Sequence, residues 1–259
     1  MMNRMLSVIV CLVVFAVFII AGCTEQQKAD VDALDYGPDI ESIVVTNEYT
    51  PRAINVTGGY KAWIRAKRLD ADCVVTFYNS DGSYYLTEQH HEIYPWSNSV
   101  KISAVEPLGV FAWQLSDGNF SILKGIERVG LLPVMVCDKA MAQAVLNIIT
   151  APVRFMDTSA EFTEGPRPVR VQGLWYYPIE QTGNVGEDWS KVVFYQSKDG
   201  SLVDMIRFVS VDTRKSLTVR GYDYRDTTGK GVLIPDKIEI FKTDASGILG
   251  ERMIKIDYN

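Results

Sequence analysis

Polar and apolar positions alternate with a period of two along most of this 259-residue chain. In "CVVTFY", Cys73, Val75 and Phe77 fall on one face. In "VFAWQL", Phe111, Trp113 and Leu115 oppose Val110, Ala112 and Gln114. In "DKIEIFK", Ile238 and Ile240 oppose Lys237, Glu239 and Phe241. Such alternation marks strands with one buried and one wetted face. It predicts strands at 70–78, 84–94, 100–105, 109–115, 120–124, 154–162, 169–177, 189–196, 202–209, 217–224, 232–241 and 251–258. The stretches "NSDG", "SDGN" and "SKDG" supply turn chemistry between them.

Two segments follow a helical period instead. The first, Pro51–Arg68, places Ile54, Ala62, Trp63 and Ala66 as its apolar positions. Gly58-Gly59 weakens its first half, so the firm part starts at Tyr60. The second, "DKAMAQAVLNII" at 138–149, carries Met141, Val145, Ile148 and Ile149 on one stripe, with Pro152 as its stop. Strands follow strands without βαβ alternation, which predicts an antiparallel sheet. Two helices of about three to four turns cannot cover about a dozen strands. The sheet must therefore fold on itself as a sandwich or barrel, or curl and leave an apolar cavity that the helices partly plug.

The N-terminus adds an address. After Met1-Met2-Asn3-Arg4, residues 5–22 are almost wholly apolar, and polar chain follows Cys23 at once. A short basic start, an apolar run and a small-residue end form the layout of a secretory signal rather than a membrane span. Ile20-Ala21-Gly22-Cys23 resembles the bacterial lipobox. The resemblance implies cleavage before Cys23 and acylation of its sulfur, and two or more acyl chains hold a soluble domain firmly at a membrane. Thr24 in place of Asp points, by the same resemblance, to the outer membrane. Residues 1–22 then form the signal peptide, 23–50 the lipidated cysteine and a polar tether, and 51–259 a single β domain.

Composition narrows the function classes. The net charge of −6 is dispersed and the sequence shows no basic stripe, which argues against nucleic-acid binding. Cys73 and Cys137 both lie in apolar contexts, so a periplasmic disulfide and two buried thiols are both open. No CxxC motif, zinc-ligand spacing, Gly-x-Ser-x-Gly elbow or complete phosphate loop occurs. "TTGKG" at 227–231 reads as a hairpin turn. His90 and His91 point to opposite faces of one strand, with His90 beside Glu88 and Glu92, so they form a wetted polar face and a half-buried imidazole rather than a metal site. No catalytic residue, metal ligand or cofactor is assigned, and the chain is read as a non-enzyme.

Three stretches resemble the LolA/LolB-like superfamily of bacterial lipoprotein carriers and receptors. They are "GGYKAWIRAKRLDADCVVTFYNSDGS", "NSVKISAVEPLGVFAWQLSDGNFSI" and the long run from Trp189 to Lys242, which closes on Pro235, Ile238 and Ile240. The resemblance implies a mainly β fold: a large curved antiparallel sheet, or half-open barrel, with a helical lid. It implies a hydrophobic cavity that holds lipid or acyl chains. Candidate lining residues are Trp63, Phe77, Phe111, Trp113, Trp175, Phe194, Phe208, Ile238 and Ile240, since ligand sites are mainly apolar and aromatic. Leu131 and Leu132, ahead of Pro133, are candidates for a loop touching membrane or cargo. The expected protein is a bacterial envelope lipoprotein, outer-membrane anchored and facing the periplasm, that binds lipid and takes part in lipoprotein transfer. The alternative is a structural or protein-interaction lipoprotein with a filled barrel and an envelope protein as partner.

Overall fold

The computed structural model describes residues 49–104, 111–124, 138–157, 159–183, 185–186, 188–210, 216–243 and 249–259. All of these lie within one compact unit, 37–259. Cys23, Leu131, Leu132 and Cys137 lie outside the described residues.

The strands are β1 (Leu69–Tyr78), β2 (Tyr84–Tyr94), β3 (Ser99–Ala104), β4 (Phe111–Ser116), β5 (Asn119–Lys124), β6 (Phe162–Glu164), β7 (Val169–Val171), β8 (Leu174–Gln181), β9 (Lys191–Ser197), β10 (Val203–Val209), β11 (Leu217–Arg225), β12 (Ile234–Thr243) and β13 (Leu249–Tyr258). Among the described residues they form one antiparallel sheet in the order β5-β4-β3-β2-β1-β13-β12-β11-β10-β9-β8-β6, with β7 also paired to β8. Every neighbouring pair but one is close in sequence. The exception joins the first strand to the last, with Cys73 opposite Tyr258 and Phe77 opposite Ile254. The two free edges, β5 and β6–β7, therefore both come from the middle of the chain, and the sheet is open.

The helices are α1 (Tyr49–Val56), α2 (Tyr60–Arg65) and α3 (Asp138–Arg154). The predicted 51–68 helix is two helices, broken where Gly58 and Gly59 take φ of 117° and 81°. Gly58 is required by contact as well as by φ, because a Cβ there would lie 2.2 Å from the Gly231 carbonyl oxygen. The "TTGKG" turn thus seats the helix pair. Asp226 accepts from the Lys230 and Gly231 amides, and the Leu233 amide donates to the Thr57 carbonyl at 3.0 Å. Thr57 closes the corner, donating to the Ala53 carbonyl at 2.7 Å and accepting from Trp63 Nε1 at 2.9 Å.

Helix α3 runs past Pro152, which stands inside it rather than ending it. Burial of Ile149, Ala151, Val153 and Phe155 favours the extra turn and outweighs the hydrogen bond that proline removes. The predicted strand 154–162 is consequently reduced to the short β6. The predicted strand 169–177 is a hairpin, β7–β8, turning at Gln172 and Gly173 with φ of 48° and 89°.

Candidate functional site

The inner wall of the sheet is built by period-two alternation. On β1 the odd positions Leu69, Ala71, Cys73, Val75 and Phe77 are buried, and on β4 Phe111, Trp113 and Leu115. On β12, Ile238 and Ile240 face the same core. Helix α3 packs on β3 and β4 of one arm and on β10, β11 and β12 of the other, so the sheet curls around it. Helix α1 packs on α3 in turn, and Trp96 Nε1 donates to the Trp63 carbonyl at 3.0 Å, which ties α2 to the β2–β3 turn.

Eight of the nine predicted lining residues meet here. Trp63, Phe77, Phe111, Trp113, Phe194, Phe208, Ile238 and Ile240 are all buried in one core together with α3. Phe111 stacks on Trp113 with ring centroids 4.2 Å apart. Phe155 meets Phe162 and Phe194 edge-on at 5.4 and 5.3 Å, and Trp189 lies 5.3 Å from Phe208. Phe155, Phe162 and Trp189 are additional to the residues that the sequence pattern picks out. Their signal was weak, because they stand at element ends where neither period holds.

Among the described residues, the apolar side chains of the sheet and of α3 pack together as one core. The described residues line an open cavity of about 70 Å³ on the polar flank of α3. Gln143, Asn147 and Arg154 of α3 line it, facing Gln181 of β8 and Asp117 of the β4–β5 turn. It thus lies between the two arms of the sheet. That volume suits a few waters, whereas sites for drug-sized ligands run to about 300–1,000 Å³. Trp189 Nε1 donates to Gln143 Oε1 at 2.8 Å, and Arg154 stands 3.6 Å from Asp157. Burial lowers the Arg154 pKa, against the pull of Asp157 and Asp117.

No family model matches the chain, and no curated protein matches its sequence. Solved structures do match. A LolA superfamily protein from Nitrosomonas europaea superposes with a TM-score of 0.54 at 13% identity, over 83% of this chain and 92% of its own. The fold is LolA-like. A DUF1329 family protein from Desulfovibrio piger gives a TM-score of 0.43 at 12% identity, covering 74% of this chain and 84% of that one. A putative outer membrane lipoprotein-sorting protein domain from Vibrio parahaemolyticus gives 0.39 at 10% identity, covering 81% and 91%.

Trp175 is the predicted lining residue that the LolA-like sheet does not bring inside. It is 48% exposed on the β7–β8 hairpin. Its phase agrees with that of Ile179, which does face the core, but β9 ends opposite Tyr176, and Trp175 is not among the described residues of the core.

The histidines separate as alternation requires. His90 lies on the wetted face, 2.7 Å from Asp72 and 3.7 Å from Asp70. Glu92 is engaged instead by Lys101 at 2.7 Å and Tyr94 at 3.0 Å, so Glu88, His90 and Glu92 do not converge. His91 is wholly buried, not half-buried. Tyr258 donates to its Nδ1 at 2.8 Å, and its Nε2 donates to Gln89 Oε1 at 3.0 Å. This pairing fixes the neutral tautomer, since an amide oxygen only accepts. Burial, helped by His90 and opposed by Asp72, lowers its pKa to about 3. Cys73 is a buried free thiol 3.5 Å from His91 Nε2. Burial first, then Asp72 and Asp257, push its pKa up, which is the reverse of what a nucleophilic cysteine needs. Among the described residues no three His, Cys, Asp or Glu side chains cluster to hold a metal.

Proposed function

We propose that this chain is a bacterial envelope lipoprotein, anchored through Cys23, whose curled sheet binds a lipid or acyl chain non-covalently. The observation that carries the reading is the open sheet wrapped around one apolar helix. Both free edges lead into the segments that flank α3, so the helix can leave the wall without any strand pair breaking. An acyl chain taking the place of α3 covers the same apolar wall and so restores the burial of that wall, at about 25 cal/mol per Å². The lipobox-like Ile20-Ala21-Gly22-Cys23 supports the anchor, and Thr24 supports the outer membrane. The LolA-like fold supports a part in lipoprotein transfer, although fold by itself does not set function.

A second reading is favoured by the packing of α3 into the apolar core of the sheet. In it, α3 fills the sheet permanently and the protein serves as a structural or protein-interaction module. One experiment separates the two. The full chain is purified from membranes in mild detergent and extracted with organic solvent, which releases non-covalent lipid but not lipid bonded to Cys23. Extracted acyl lipid in stoichiometric amount supports the carrier. A lipid-free extract, with no uptake of added fatty acid, refutes it in favour of the filled module.

A further inference from the structure

The β7–β8 hairpin exposes apolar side chains on both of its faces. Val171 pairs with Leu174 on one face, and Arg170 pairs with Trp175 on the other. Leu174 and Trp175 are each 48% exposed and Val169 36%. A two-stranded ribbon gains nothing by presenting such residues to water, and exposed apolar patches mark interaction sites.

The position of the start of α1 adds a second observation. The first described residue, Tyr49, has its carbonyl beside Gln196 Nε2 at 3.5 Å. Gln196 lies opposite Tyr177 and Ser197 opposite Tyr176, while the Lys198 amide donates to the Trp175 carbonyl at 2.9 Å. The start of α1 thus lies next to the hairpin. Charge adds a third observation. Arg167, Arg170 and Lys198 are exposed around the tip, against Glu164 and Asp199.

We propose that the hairpin tip inserts into the interface of the phospholipid bilayer from which the domain is tethered. Tryptophan with an apolar body and a polar edge favours the headgroup level, aliphatic residues favour the acyl boundary, and Arg and Lys meet phosphates. A bilayer fits better than a protein groove. A groove would bury one face of the ribbon, whereas an interface surrounds both. Trp175 is in phase with the inner wall, so insertion sets the rim of the curled sheet at the membrane, where cargo would enter. The proposal rests on the anchor reading of Cys23 and on no particular cargo.

The test is fluorescence of the full chain reconstituted in vesicles of phosphatidylcholine and phosphatidylglycerol, with and without brominated acyl chains. Subtracting the spectrum of Trp175→Phe isolates the Trp175 emission and cancels the interior tryptophans. Blue-shifted emission that bromine quenches is expected. Water-like emission that bromine leaves unchanged overturns the proposal and leaves the hairpin to a protein partner. Solvent-extractable lipid is read separately and does not depend on Trp175, so failure here is distinct from failure of the carrier reading.

Discussion

Acidification should unfold this protein partly through one imidazole. His91 sits on β2 between Ala71 of β1 and Ile102 of β3, wholly buried and held neutral by Tyr258 and Gln89. Its pKa falls to about 3 in the folded chain, against about 6.5 when unfolded. Above pH 6.5 both states carry a neutral ring and His91 adds no pH dependence. Below it the unfolded chain takes up a proton that the folded chain refuses, so stability falls as pH drops from 6.5 toward 3. Between pH 8 and pH 5 the loss is about 2 kcal/mol, at about 1.4 kcal/mol per pH unit once the unfolded ring is protonated. His91→Gln keeps a polar side chain in the network and removes the titration. Its lost packing lowers stability at every pH by one constant amount. Urea midpoints of the wild type and the variant at pH 8 and pH 5 give the difference of differences. The wild type should lose about 2 kcal/mol more than the variant over that interval. Equal losses would refute a buried neutral His91.

Gly58→Ala should cost about 3 kcal/mol or more, because its Cβ would lie 2.2 Å from the Gly231 carbonyl oxygen at a φ of 117°. Gly229→Ala, in the same turn with φ of 69° and open space around the new Cβ, should cost only about 1 kcal/mol by urea titration. Phe208→Ala should lose about 3–5 kcal/mol from the core, while Trp175→Ala should stay within about 0.5 kcal/mol of the wild type. A comparable loss at both would place Trp175 inside. Native-state alkylation at pH 8 followed by peptide mass mapping should leave Cys73 unmodified until denaturant is added, and rapid labelling would contradict its burial.

What the sequence made legible follows from what alternation encodes. It assigned the buried faces of β1, β4 and β12, because a side chain on a pleated strand has only two directions to point. It also set His90 and His91 on opposite sides. Alternation does not encode where the cover ends. Trp175 has the phase of Ile179 but lies past the last residue of β9, so one side chain is solvated and the other buried. The same stretch hid its turn, since Gln172 is not a customary turn residue and only Gly173 signalled it. Pro152 misled in the opposite sense. Local chemistry says stop, but the burial of Ala151, Val153 and Phe155 around it favours continuing.

The covering argument shows a deeper limit. Two helices cannot cover a flat sheet of this width, and that arithmetic left two outcomes, a sheet folded on itself or a curled sheet with an apolar cavity. A curled sheet changes the geometry, because its two arms share one cover. Helix α3 buries side chains against β3 and β4 with part of its surface and against β10 to β12 with the rest. Its polar stripe of Gln143, Asn147 and Arg154 falls where the arms leave a gap, and the small cavity opens there. The amount of free interior therefore depends on curvature, which no single strand records. The consequence for function is direct. Helix α3 is the helix that touches both arms, so it is the element to move when a ligand competes for the wall, and the occupancy of that wall is what lipid extraction measures.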